Sequence, residues 1–262
     1  MSLERFFLKN KTILVTGASG GIGRQIAITI TEAGGNVIIT GRDEIKLNET
    51  FNLLLNKGNE MIPIELTKDS EIGKLIQFCP PLDGVIHSAG IADLYPTKFI
   101  NKKKIDETFS INYFAPMLLM AGLFQAKKIN NKASIVFISS FSSHSPFPSG
   151  ALYTGSKAAL ENYSHVLAVE HAKTGLRSNC VAPALVKTEI YENTFQSNAA
   201  LENIDKTAKE YEKVYLHGFG NPSDVADAIL FLLSDASRWI TGQTIILDGG
   251  YMLGMVSKVL KM

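Results

Sequence analysis

Apolar residues follow two alternating rhythms along this chain. Short unbroken apolar runs alternate with longer stretches in which apolar positions recur every three or four residues. The first pattern reads as strands buried on both faces of a parallel sheet, the second as amphipathic helices packed over it. Thr12 to Thr16 is the first such run. A helical pattern follows, with Ile22, Ile26, Ala27 and Ile30 on one face, and stops at Gly34-Gly35. Asn36 to Thr40 is the second strand. Met61–Leu66, Val85–His87, Ser134–Ile138, Arg177–Ala182 and Thr244–Leu247 complete seven. Helices are expected over about 69–78, 101–129 and 150–172, and again from Asn221, where Ser223 or a neighbour caps the first turn.

No linker-like composition and no internal repeat interrupts the alternation. The expectation is therefore an α/β fold: a three-layer, doubly wound sheet of about seven parallel strands, in a single domain over 1–262. One long polar, irregular stretch stands out, about 188–220, with Tyr191, Phe195, Tyr211 and Tyr215 as anchors. Such a stretch suits a substrate lid. The mildly apolar tail, 251–262, is expected to cover a neighbouring element or a subunit interface.

Composition narrows the classes. With 45% apolar and 19% charged residues the chain reads as globular, and a formal net charge of +1 without a basic helix argues against nucleic acid. Cys79 and Cys180 form neither a Cys-x-x-Cys pair nor a metal cluster, so free buried thiols in a reducing cytoplasm are expected, with no metal. The first residues are too charged for a signal peptide, and no apolar run approaches the ~20 residues that span a bilayer.

Candidate chemistry sits at strand ends. The first strand runs into Gly17-Ala18-Ser19-Gly20-Gly21-Ile22-Gly23 at the start of a helix. Glycines let a ligand approach the backbone, and the helix N-terminus offers unbonded N–H groups, so Gly17, Ser19, Gly20, Gly21, Ile22 and Gly23 are candidates to hold a diphosphate. No Gly-Lys-Ser/Thr follows, which disfavours a nucleoside-triphosphate loop. The second strand ends Thr40-Gly41-Arg42. An acid there would bond a ribose 2′-hydroxyl; a guanidinium instead pairs with a 2′-phosphate, which favours NADP(H) over NAD(H). Asp43 could compete for Arg42 but reads as the N-cap of the next helix. His87 belongs to a strand and reads as structural, whereas Ser88, Ala89 and Gly90 place small residues at that strand's carboxyl end.

Tyr153 and Lys157 lie four apart, on one face of an expected helix. An ammonium beside a phenol favours the phenolate, making the pair a candidate general acid/base. Ser140 closes the fifth apolar run. Asn112 interrupts an apolar stripe, where it either satisfies local backbone or holds a functional water.

Taken together, these residues resemble the short-chain dehydrogenase/reductase family along almost the whole chain. Thr16-Gly17-x-x-x-Gly21-Ile22-Gly23 is similar to its cofactor turn, Ser88-Ala89-Gly90 to the end of its Asn-Asn-Ala-Gly motif, and Ser140, Tyr153 and Lys157 to its catalytic spacing. Asn112 falls at its fourth catalytic position. Asn179 to Pro183 with Thr188, and Ile240 to Gly250, resemble its later signatures. The resemblance implies a Rossmann-type fold and hydride transfer between a nicotinamide and a carbonyl or alcohol carbon of a small molecule. It implies Tyr153 as proton donor or acceptor, Lys157 lowering its pKa and bonding the nicotinamide ribose, and Ser140 orienting the substrate oxygen. Asn112 would hold a relay water. Glu65 and Leu66 would lie near the adenine; Pro183, Val186 and Thr188 near the nicotinamide.

His87 and Ser88 replace two asparagines of the family pattern, and Ala184 and Glu65 replace a common Gly and Asp. Within the family the chain looks most like 3-oxoacyl carrier-protein reductases. An acyl carrier protein is then a possible partner, with Lys127, Lys128 and Lys132 as docking candidates and Val169 where an Arg often stands. The loop of Phe141, Pro146, Phe147 and Pro148, with Tyr95 and Tyr191, suggests a partly hydrophobic substrate. A homotetramer or homodimer packed through the two long helices is implied. The alternatives are a dinucleotide-binding regulator without turnover, and an epimerase- or dehydratase-type relative, since Gly17, Gly20 and Gly23 also fit that spacing. The chain lacks those relatives' extra C-terminal length.

Overall fold

The computed structural model describes residues 3–55, 57–189 and 212–259. Its strands are β1 (Thr12–Thr16), β2 (Asn36–Gly41), β3 (Glu60–Pro63), β4 (Leu82–His87), β5 (Ile129–Ile138), β6 (Arg177–Pro183) and β7 (Thr244–Leu247). All pair in parallel in one sheet ordered β3-β2-β1-β4-β5-β6-β7. The expected doubly wound sheet is therefore present.

Alternation along each strand feeds two cores. Ile13 and Val15 of β1 face helices α1 (Gly21–Glu32) and α7 (Pro222–Leu233), where Ile26 and Ile30 meet Val225 and Ile229. Leu14 faces the other layer, built from α3 (Asp69–Phe78), α5 (Ala115–Gln125) and α6 (Ala151–Glu170), with Leu75, Leu119, Leu123 and Leu160 in contact. Two short helices, α2 (Glu44–Phe51) and α4 (Lys102–Phe109), border the carboxyl ends of the strands. Asp43 caps α2 by accepting from Lys46 N at 3.0 Å, as the sequence suggested.

Strand order reverses between β1 and β4, and the loops leaving their carboxyl ends part there. In open α/β sheets this switch point is where ligands bind. The Thr16 hydroxyl ties the two ends together, accepting from Ser88 N at 3.2 Å and Ala89 N at 3.3 Å.

The structure departs from expectation in three places, and it shows which neighbouring element the tail covers. The helix expected over 101–129 is α4, then a π-helical turn (Ser110–Phe114), then α5, which stops at Gln125. Pro116 has no N–H to give the carbonyl four residues back, that of Asn112, so the regular α register breaks there. Lys127, at φ 55, ends the helical run, and β5 begins at Ile129 rather than 134. β3 stops at Pro63 instead of running to Leu66. The tail forms a helix, α8 (Tyr251–Val259), that packs on residues 212–219: a Cβ on Gly254 would lie 1.9 Å from the Val214 carbonyl oxygen.

Much of the expected lid, including Tyr191, Phe195 and Tyr211, lies outside the described residues. Its flanks meet: Val186 bridges Gly220, and Lys187 N donates to Gly220 O at 2.9 Å. Tyr215 is buried against Phe219 and Tyr251.

Candidate active site

At the switch point β1 turns into α1 through Gly17, whose φ of +68 and tight surroundings exclude a side chain: a Cβ would lie 2.7 Å from Ala89 Cα and N. Gly23 is as tightly placed, its Cβ position 2.2 Å from the Gly17 oxygen. Gly20 faces open space, and Gly21 (φ +51) looks toward Thr188, whose Cγ2 is 3.4 Å from a Cβ built there. Gly20 is the N-cap of α1 and offers no side chain to its first-turn N–H groups. The result is an open, glycine-lined helix N-terminus, which fits a diphosphate. Arg24 and Thr50 brace this turn: Arg24 Nη2 donates to Ser19 O at 2.9 Å and Thr50 Oγ1 to Ala18 O at 2.8 Å.

At the end of β2, a Cβ on Gly41 would lie 2.1 Å from Ser19 Oγ. Position 41 carries no acid, and Ser19 Oγ occupies the space a side chain would take. Arg42 next to it is exposed, and Asp43 is occupied with its cap. Leu66 is buried in the core, and Glu65 accepts from Thr67 Oγ1 at 3.0 Å. Pro183 and Val186 are buried at the carboxyl end of β6 and just beyond it.

Ser140, Tyr153, Lys157 and Asn112 gather beside Gly90. A Cβ on Gly90 would lie 3.0 Å from Asn112 Oδ1 and 3.3 Å from Lys157 Nζ. Ser140 follows β5 directly, while Tyr153 and Lys157 are one turn apart on α6, with Nζ 5.9 Å from the centre of the phenol ring. Asn112 is fully buried in the π turn and clasps the Ile91 backbone: Oδ1 accepts from Ile91 N at 2.9 Å and Nδ2 donates to Ile91 O at 3.0 Å. Nδ2 also donates to Ser156 Oγ at 3.0 Å, and Ser156 Oγ donates to Tyr153 O at 2.7 Å. Of the two readings left open for Asn112, its side chain shows the backbone-satisfying one. Ser156 was missed, although its place three residues after Tyr153 puts it on the same turn of α6.

Ser140 Oγ accepts from Ser142 N at 3.2 Å and lies 2.9 Å from Ser142 Oγ. A hydroxyl has two acceptor sites and one proton. Ser142 occupies the acceptor side, so the Ser140 proton is left to donate, and Ser140 lies close enough to Tyr153 to pull the phenol's pKa down.

Withdrawal from water raises the Tyr153 pKa, and Ser140 opposes this. The Lys157 ammonium donates one N–H to Ile138 O at 2.8 Å with its Nζ 5.9 Å from the Tyr153 ring centre, and burial pushes its own pKa down to about 8. The arrangement keeps the phenol protonated at neutral pH.

Other candidates resolve as packing. His87 is buried and stacked on Phe137 with ring centres 4.6 Å apart, and burial lowers its pKa to about 3. Cys79 and Cys180 are free and buried, with pKa values raised to about 12, which makes them inert. Phe141 is buried edge-on against Tyr251, whereas Phe147 is exposed. Lys127, Lys128 and Lys132 sit at the amino end of β5, and Ser140 lies past its carboxyl end. At about 3.3 Å per residue that separates them from Ser140 by roughly 25 Å. Among the described residues no group of His, Cys, Asp and Glu could hold a metal, and no helix is long and apolar enough to cross a membrane.

A glycine-cradled switch point with a phenol and an ammonium at its edge defines a nicotinamide-dependent oxidoreductase, and comparison with known proteins narrows the class. A family model described as enoyl-(acyl carrier protein) reductase matches residues 17–252. The chain is 34% identical to an L-xylulose reductase of Caenorhabditis elegans, over 92% of this chain and 96% of that one. It is 35% identical to a 3-oxoacyl-(acyl-carrier-protein) reductase of Rickettsia felis, over 94% and 98%. Among solved structures, a short-chain dehydrogenase/reductase from Brucella melitensis superposes with a TM-score of 0.84 at 26% identity, covering 93% of this chain and 97% of that one. The chain belongs to the short-chain dehydrogenase/reductase family, whose members act on a CH–OH or carbonyl carbon with a nicotinamide cofactor.

Proposed function

We propose that this protein is an NADPH-dependent ketoreductase. The observation that carries the reading is the arrangement at the end of β5: Ser140 has its acceptor side filled by Ser142, and Tyr153 and Lys157 stand one turn apart on α6 beside it. Two O–H donors facing one oxygen suit a carbonyl that must be polarised and then protonated.

The bound nicotinamide supplies the hydride. Gly17, Gly20, Gly21 and Gly23 receive the diphosphate against the N-terminus of α1, and Arg42 pairs with the 2′-phosphate, with no acid at position 41 to repel it. Ser140 donates a hydrogen bond to the substrate oxygen and fixes its position. Tyr153 gives that oxygen its proton as negative charge develops. Lys157 lies close enough to stabilise the resulting phenolate and to reach the nicotinamide ribose. Asn112 keeps the π turn and Ile91 in place beneath Gly90. Phe147 and Tyr95 border the substrate side.

The test is a spectrophotometric screen with NADPH and NADH. Its carbonyl panel spans the range of the relatives' names: L-xylulose, diacetyl, a 3-oxoacyl thioester and a 7-oxo bile acid. Consumption of NADPH in preference to NADH with at least one of them is expected. Tight NADPH binding with no oxidation across the panel would instead indicate a binding protein without turnover.

Arg42→Ala should weaken NADPH binding by about 10- to 100-fold, a loss of about 1.5–3 kcal/mol for a charge-assisted pair, and leave NADH binding unchanged. Fluorescence titration with both cofactors measures this; equal losses would show that Arg42 does not read the 2′-phosphate.

A homo-oligomer packed through α5 and α6 fits the half-exposed apolar side chains Leu118 and Val166 and the exposed Val169 on those helices, with half-exposed Phe114 in the π turn just before α5. Light scattering settles the state: a monomer would refute it. Two free buried thiols fit a reducing cytoplasm.

A further inference from the structure

We propose that Glu161 is a positioning residue that holds the Ser140 hydroxyl in register with Tyr153. The proposal rests on the reading of Ser140 as the group that polarises the substrate oxygen. Glu161 lies one turn beyond Lys157 on α6 and is 7% exposed. A carboxylate is almost never buried without partners. Glu161 takes its hydrogen-bond and ion-pair partners from the loop that carries Ser140. Its Oε1 accepts from the hydroxyl of Ser139, immediately before Ser140, and from Ser143 Oγ at 2.6 Å. Its Oε2 lies 3.2 Å from His144 Nε2.

Ser140 is thus bracketed by residues fastened to one carboxylate. Ser143 N donates to the Ser140 carbonyl oxygen at 3.0 Å, so the anchored residue holds the Ser140 backbone directly. The loop between is a single three-residue 3-10 turn (Phe141–Ser143), with Ser140 as its extended N-cap. Such a turn has little rigidity of its own. Glu161 is on the same rigid helix as Tyr153 and Lys157. The carboxylate therefore refers the Ser140 loop to the helix that carries the acid, and the two donors share one frame. Displacements of about 1 Å in such a frame cost roughly 10²-fold in rate.

A double-mutant cycle separates positioning from plain stability. Glu161→Leu is expected to lower kcat roughly 30- to 100-fold for the panel carbonyl reduced fastest, while the NADPH dissociation constant stays unchanged. On a Ser140→Ala background the same change should cost almost nothing further, because there is no hydroxyl left to position. Glu161→Gln, whose Oε1 still accepts both hydroxyls, should restore most of the lost kcat. If Glu161→Leu does not fold, Ser139→Ala/Ser143→Ala removes both hydroxyl contacts without adding bulk and is expected to behave alike. A crystal structure of that double variant without cofactor should show Ser140 Oγ displaced from the Tyr153 hydroxyl. Equal losses with and without Ser140, or an unmoved Ser140 Oγ, would overturn the proposal. An active Ser140→Ala would instead overturn the reading it rests on.

Discussion

Tyr153→Phe is expected to lower kcat for carbonyl reduction by roughly 10³-fold, within the 10²–10⁴ that a positioned proton donor contributes. The substitution removes one oxygen from a half-buried ring. Its partner, Ser140, keeps its bonds to Ser142, so no buried group is orphaned and stability should change by no more than about 1 kcal/mol. The glycine cradle and Arg42 are untouched, so NADPH binding should persist. Circular dichroism, fluorescence titration and single-turnover NADPH oxidation check the three claims; an unchanged rate in the folded variant refutes the assignment of Tyr153.

The pH dependence has a sign fixed by the same geometry. Reduction needs the phenol protonated, and burial raises its pKa. The first proton lost from the Tyr153–Lys157 pair is that of Lys157, near 8. Reductive kcat/KM should therefore be highest below that value and fall as pH rises, with apparent values that belong to the pair. A rate that climbs with pH would mean that the phenolate is the working form and alcohol oxidation the favoured direction.

What the sequence disclosed follows from what sequence encodes locally. The strand–glycine–helix unit at Thr12 to Glu32 was readable because the buried apolar runs are short and the glycines are forced by backbone contacts, as at Gly17. The spacing of Tyr153 and Lys157 was readable because a helix converts four residues into one turn. The direction of the Tyr153 shift was not, because it depends on what surrounds the ring. Two residues at helical spacing look like a charge pair, whereas in the fold Lys157 turns to Ile138 O and desolvation dominates. The same limit hid Glu161, which gathers Ser139, Ser143 and His144 from 17 to 22 positions away. Pro116 carried the signal for the π turn at Asn112, since its missing N–H breaks the helical register. The placement of Lys127, Lys128 and Lys132 needed the strand direction, which charge patterning does not supply.

Lys157→Met should lower kcat by roughly 10³-fold and also flatten one part of the stability profile. The wild-type amine is buried, and its pKa falls from 10.5 to about 8 on folding. Between those values the unfolded chain still binds a proton that the folded chain has released, so raising the pH stabilises the fold. The penalty, on the order of 3 kcal/mol, is complete below about 8 and gone above 10.5. Cys79 and Cys180 act with the opposite sign: their thiols rise from 9.0 to about 12, so the folded chain keeps protons that the unfolded chain loses, and stability falls as pH rises through that window. Wild-type stability should thus rise above pH 8 and then turn over, whereas Lys157→Met should show only the fall. The hydrogen bond to Ile138 O that methionine cannot make adds an offset of about 1–3 kcal/mol that does not vary with pH, so the difference between the two profiles isolates the amine. Urea unfolding across pH 7 to 10.5 measures it. A flat difference would show that the ammonium stays charged in the folded protein across this range. A rising difference, with kcat down by roughly 10³-fold, would show that the fold bears a desolvated ammonium because proton transfer at Tyr153 requires it there.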